Sequence, residues 1–180
     1  ASIFTTGAAY RWLRELLGHK DYKLLDKSAS KVAPGSDGVR VVPHFSGAGA
    51  PHWNPEAKAS ITGLTLKHNY GHLARAIMEG VSLEIKTALK LISRFGSIDD
   101  VRLTGGITKS KLWMKILTDI LGIKTVVPRI GEATALGAAI VATVGTKFFK
   151  NYNEAVSAMV KISRVCEPGT EYGTLSLFND

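Results

Sequence analysis

Cysteine is almost missing from this chain. The single Cys166 can neither close an internal disulfide nor complete a zinc cage, which excludes a disulfide-stapled scaffold and fits a reducing, cytoplasmic setting. No apolar run reaches the roughly 18 residues that a bilayer span needs. The opening Ala1-Ser2-Ile3-Phe4 places no basic segment before an apolar one, so no signal peptide is expected. An initiator Met is also lacking, and the abrupt ending at Phe178-Asn179-Asp180 adds to the expectation of a piece of a longer protein. Acidic residues are few, 15 against 23 Lys and Arg, for a net charge of +8. That excess is spread along the whole chain with acids between, and no block of five like charges occurs. Neither zinc-finger spacing nor a basic strand interleaved with aromatics is present. Such diffuse charge suits phosphate-bearing small ligands and argues against nucleic acid as a partner.

What remains is ordinary globular material. With 180 residues, 45% hydrophobic and 21% charged, the chain has room for one domain with a core. Residues 7–17 read as a helix with Ala8, Trp12 and Leu16 on one stripe beside Ala9 and Leu13, and Gly18 stops it. A polar stretch leads to the turn Pro34-Gly35-Ser36-Asp37-Gly38 and a strand over 39–45. Residues 46–58 carry Gly47, Gly49, Pro51 and Pro55 around Trp53, which predicts a loop. Its indole is expected to fold beneath that loop, with a cleft lining as the alternative. A strand over 59–66 follows.

Leu73, Ala76, Ile77, Gly80, Val81, Ile85, Ala88, Leu89 and Ile92 then recur at spacings of three and four, predicting one long helix over 71–95. Beyond Gly96 the pattern alternates. It gives a strand at 101–104, a helix over 109–121 stopped by Gly122, a strand over 124–127, and a helix over 134–144 packed through Ala135, Ala138, Ala139 and Ala142. A final helix capped by Asn151 or Asn153 runs to about residue 162. This order predicts an α/β layered domain with a mixed sheet flanked by helices.

One junction could carry chemistry. In Leu103-Thr104-Gly105-Gly106-Ile107-Thr108-Lys109-Ser110 a strand ends, two glycines remove side chains, and a helix begins. Unpaired N–H groups at a helix start favour anions, and glycines let a nucleotide lie against backbone. A plain tight turn is the competing reading. Gly7, with Arg11 four residues later, reads by itself as close packing. His68 and His72 have the spacing of two metal ligands, yet no HExxH pattern or adjoining carboxylate completes a site. Glu79 and Glu84 read as buried, hydrogen-bonded carboxylates, and no nucleophilic triad is evident.

The segment Ala59-Ser60-Ile61-Thr62-Gly63-Leu64, followed after seven residues by His72-Leu73-Ala74-Arg75-Ala76-Ile77-Met78-Glu79, resembles the second signature of the FGGY carbohydrate kinases. Ser2-Ile3-Phe4 with Gly7-Ala8-Ala9 and Trp12-Leu13-Arg14 resembles a helix just past the middle of that family's full chain. Phe45 to Pro55 is similar to a glycerol kinase loop, and Thr104-Gly105-Gly106 to the adenosine motif of actin-like ATPases. Glu132-Ala133-Thr134-Ala135-Leu136-Gly137-Ala138-Ala139 resembles the family's penultimate helix. The match runs over residues 2–162, leaving 163–180 as a tail in which Pro168 and Tyr172 resemble the family's ending.

This resemblance implies an actin-like (ribonuclease H-like) domain, the C-terminal one of two that hold ATP, with Mg2+, and a sugar between them. It places the nucleotide contacts on Gly7, Arg11, Gly105, Gly106 and Ser110. Glycerol kinases have Gln and Asn where Arg11 and Ser110 stand, and the stretch from Gly105 to Trp113 is closer to pentulose kinases. The implied function is the nucleotide-binding half of a sugar or polyol kinase, with a pentulose acceptor favoured. Glycerol kinase and a non-catalytic actin-like binding module are the alternatives. The catalytic aspartate would lie in the absent N-terminal half, so the fragment alone should be inactive. A carbohydrate substrate, no membrane partner and an open option of a homodimer in the full-length enzyme complete the expectation.

Overall fold

The computed structural model describes residues 6–172. Its chain order is α1 (Gly7–Leu16), α2 (Lys23–Ala29), β1 (Arg40–Val42), β2 (Ser60–Thr62), α3 (Tyr70–Ile92), β3 (Val101–Arg102), α4 (Lys111–Leu121), β4 (Thr125–Pro128), α5 (Ala133–Gly145), α6 (Tyr152–Met159) and β5 (Ile162–Cys166). Two sheets form. β1 and β2 pair antiparallel, whereas β3 runs parallel to β4 and β5 antiparallel to it, so the three-stranded sheet is mixed as expected. The resemblance drawn from Ser2-Ile3-Phe4 and the end of the tail lie outside the described residues.

α3 organises the molecule. Its start is fixed by a capping box in which Asn69 accepts from the Gly71 N–H at 2.8 Å and His72 turns back to the Asn69 N–H. His72 also pairs with Asp37 at 3.1 Å, which ties the helix start to the preceding turn. The buried side of α3, including Ala74, Ile77, Met78 and Val81, meets Leu13 of α1, Leu25 of α2, Val39 just before β1 and Val41 within it, and Trp113, Ile116 and Ile120 of α4. Gly80 is required there, because a Cβ at that position would sit 2.2 Å from the Val41 carbonyl oxygen. Glu84 accepts from the His44 ring at 2.8 Å, the hydrogen-bonded carboxylate expected from its place on the helix. A second apolar cluster, with Leu103, Met114, Leu117, Leu121 and Val127, seals α4 against the mixed sheet.

Several details depart from the sequence pattern. α1 turns Ala9, Tyr10 and Leu13 inward and leaves Leu16 64% exposed, because Tyr10 stacks on Tyr22, meets Trp113 at a tilt and donates to Asp26 at 2.7 Å. Trp12, expected at the centre of the buried stripe, lies at the surface against Phe45. The polar stretch after Gly18 contains α2, whose Leu25 and Ala29 are fully buried. Trp53 does not fold under its loop but is 62% exposed. The alanine face predicted to pack on α5 is at the surface: Ala135, Ala138, Ala139 and Ala142 are exposed, and Ile140 alone is buried in that helix.

The segment beyond residue 162, expected as a tail, is tied into the domain. β5 adds to the sheet, the Gly169 N–H donates to Asp119 at 2.7 Å, and Tyr172 enters the α3 core. There Arg75 and Glu79 form a buried ion pair at 2.9 Å, and the Tyr172 hydroxyl accepts from Arg75 and donates to Glu79.

Burial, followed by the Asp26 charge, pushes the Tyr10 phenol far above its ordinary value, and burial followed by Glu79 does the same to Tyr172. The folded state therefore holds two protons that the unfolded chain releases above about pH 10. Stability is fully present below that pH and is lost as pH rises, at a slope approaching about 2.7 kcal/mol per pH unit for two groups. Urea unfolding at pH 8, 10 and 11 measures this slope. Tyr172→Phe is expected to halve it, and an unchanged slope in that variant would contradict the assignment.

Candidate functional site

The glycines after β3 form an open shelf. Gly105 has φ +80° and ψ −160°, a conformation that side chains rarely adopt. A 3-10 turn over Gly106–Lys109 follows, and α4 begins at once. Both glycines are exposed, and a Cβ at either would meet no atom within 4 Å. Nothing in the described protein therefore fills the space above them. The shelf is held from within, since Thr108 directs both its N–H (3.2 Å) and its hydroxyl (2.8 Å) to the Gly105 carbonyl.

Ser110 closes the turn. It is 8% exposed, and its hydroxyl oxygen accepts from the Trp113 N–H at 3.1 Å, making it the N-cap of α4. The cap uses the oxygen as an acceptor and leaves the O–H as a donor. The remaining N–H groups of the first turn supply the positive end of an 11-residue helix. Lys109 lies exposed beside them.

Gly7 and Arg11 come from the other end of the sequence and are exposed on α1. The fold brings their helix to the same region. Tyr10, between them in sequence, places its ring 5.1 Å from that of Trp113, three residues past Ser110. Ile107 of the glycine turn and Leu112 of α4 pack on the core that contains Ala9, Tyr10 and Leu13. The two predicted segments are thus joined through one aromatic contact. Nothing in the local spacing around Tyr10 and Trp113 marked them as that joint, because the pairing spans about a hundred residues.

His68 and His72 do stand together, with rings 4.9 Å apart. His68 accepts from the Thr65 N–H and His72 serves the α3 cap, so both imidazoles are occupied in local structure.

A strand, two exposed glycines and a capped helix leave bare backbone and unpaired N–H groups of the kind that favour an anion. Residues 1–146 match the C-terminal domain of the FGGY family of carbohydrate kinases. This chain belongs to that family. The FGGY domain is 40% identical over 159 residues to the glycerol kinase of Burkholderia multivorans, covering 87% of this chain and 32% of that protein. Among solved structures, the xylulose kinase of Rhodospirillum rubrum is 30% identical with a TM-score of 0.77, over 93% of this chain and 34% of that one. A Plasmodium falciparum glycerol kinase with ADP is 29% identical with a TM-score of 0.81, over 93% and 34%. This chain spans about a third of the length of these relatives. These neighbours carry the actin-like ATPase fold expected from the sequence. Among the described residues of the FGGY domain, no helix is long and apolar enough to cross a membrane.

Proposed function

We propose that this chain is the nucleotide-binding half of an ATP-dependent carbohydrate kinase. The observation that carries the reading is the open Gly105-Gly106 shelf at the start of α4, with α1 touching that helix through Tyr10 and Trp113. Gly7, Arg11, Gly105, Gly106 and Ser110 are its proposed contacts. The glycines would let the nucleotide lie on bare backbone, Ser110 would donate its O–H, and Arg11 would add a cation. The ADP named with the Plasmodium falciparum glycerol kinase structure supports a nucleotide of this class.

Neither proposed segment contains an Asp or Glu, the usual ligands of Mg2+. These residues do not fit a metal site. The proton of the attacking hydroxyl would likewise be taken by an aspartate outside this chain. This half contributes binding and orientation, and positioning together with charge stabilisation supplies most of the rate in phosphoryl transfer. The exposed apolar α5 and the one-third share of its relatives' length support a reading as part of a larger enzyme. Cytoplasmic location and assembly as a homodimer belong to the same reading.

A pentulose is the favoured acceptor, on the run from Gly105 to Trp113 and the xylulose kinase neighbours. Glycerol is the second reading, favoured by the 40% identity to a glycerol kinase. The test is calorimetry with ADP, then an acceptor screen of xylulose, ribulose, glycerol and gluconate with ATP, using the full-length protein. ADP binding with turnover of one acceptor is expected there, and no turnover by the 180-residue chain alone. Absence of ADP binding by the folded full-length protein would overturn the proposal.

A further inference from the structure

We propose that Arg164 is a positioning residue for the nucleotide shelf, holding the glycine turn in the shape the ligand requires. The inference rests on the kinase reading above and adds a residue outside the matched span, which ends at residue 146. The shelf has an inherent weakness. Gly105 and Gly106 have no side chains with which to anchor themselves, and no atom stands within 4 Å of where a Cβ would be. Their geometry depends on what holds the neighbouring backbone.

Thr108 is that neighbour. Its N–H and hydroxyl both donate to the Gly105 carbonyl, at 3.2 Å and 2.8 Å, which sets the peptide plane at the edge of the shelf. Thr108 is in turn held from across the sheet. Arg164 lies on β5 in register with Val127 of β4, and its Nη1 donates to the Thr108 carbonyl at 3.3 Å. The same nitrogen lies 3.1 Å from Sδ of Met114, a fully buried side chain of α4. The guanidinium thereby bridges the turn and the helix that follows it. A continuous path runs from β5 through Arg164 and Thr108 to the Gly105 carbonyl. The planar, always charged guanidinium suits such a bridge, because it presents several donors in one fixed fork. Arg164 is itself exposed, and it adds a positive charge within hydrogen-bond reach of the turn proposed to bind an anionic ligand.

A merely structural role and a positioning role differ in what they move. With Arg164→Ala in the full-length protein, KM for ATP is expected to rise about 3- to 10-fold, the range for loss of one hydrogen bond. The acceptor KM and kcat should change by less than about 2-fold, since the turn meets only the nucleotide. Amides of residues 106–110 should exchange faster in the nucleotide-free variant. Arg164→Lys, which keeps the charge and one donor, is expected to recover much of the affinity.

An unchanged KM for ATP and unchanged amide exchange in Arg164→Ala would overturn the proposal. So would a rise in both KM values accompanied by a fall in melting temperature that Arg164→Lys does not repair. If the wild-type protein fails to bind ADP, the kinase reading has failed instead, and that is seen before any variant is made.

Discussion

Replacing Glu79 with alanine is expected to remove about 3–5 kcal/mol of stability, the cost of stranding a buried charge. Glu79 is 4% exposed and receives four hydrogen bonds: from Arg75 Nε at 2.9 Å, the Tyr172 hydroxyl at 2.7 Å, the Gly35 N–H at 3.0 Å and the Ser36 hydroxyl at 2.8 Å. Those partners come from α3, from the turn before β1 and from the C-terminal segment, so one carboxylate joins three parts of the chain. Its removal leaves the Arg75 guanidinium, also 4% exposed, with the Val32 carbonyl at 2.8 Å and the Tyr172 oxygen at 2.6 Å but no counter-charge. A domain of ordinary size has about 5–15 kcal/mol in total, so Glu79→Ala should lose a large share of its stability. Urea unfolding monitored by circular dichroism measures the loss. A loss below about 1 kcal/mol, the scale of a surface pair, would show that water reaches the site and that the network is not buried.

Replacing Gly106 with valine is expected to weaken ADP binding at least tenfold, about 1.4 kcal/mol, while leaving the fold in place. The position is chosen because the protein itself does not oppose the side chain: a Cβ there meets nothing within 4 Å. Gly105 would be a poorer test, since its φ of +80° makes any L side chain strained whatever the ligand does. Valine at 106 would stand on the surface proposed to receive the nucleotide and hold it off the backbone. Calorimetric titration of the full-length variant measures the affinity, and thermal melting checks the fold. Equal ADP affinity in a well-folded variant would remove Gly106 from the binding surface.

The elements that could be read from the residues are those whose own pattern is strong. α3 spans 23 residues and repeats its apolar positions often enough that no other period fits. α4 announces its end through Gly122, in the left-handed conformation that stops it, whereas its start was read two residues early because Ser110 proves to be the N-cap rather than part of the helix. α2 was hidden because it has seven residues, too few for periodicity, and its place depends on Leu25 reaching the α3 core. β5 was hidden for a related reason. Five residues, too few for a clear alternation, become a strand because β4 offers an edge for them to pair with.

The shelf itself was legible, because two glycines between a strand and a capped helix are a local feature. Its supports were not. The Tyr10–Trp113 contact, the hold of Arg164 on Thr108, and the hold of Tyr172 on Arg75 and Glu79 join residues distant in sequence.

By itself the sequence determined that this chain is an α/β domain of a carbohydrate kinase family, with little cysteine, diffuse positive charge and a glycine turn where a nucleotide could lie. Those properties follow from residue type and short spacing. Only the tertiary structure decided which sides of α1 and α5 are buried, where Arg75, Glu79 and Tyr172 meet, and what braces the shelf. A helix of alanines has the same periodicity whether or not a neighbour covers it, and a charged side chain carries no local mark of the distant partner that will pair with it.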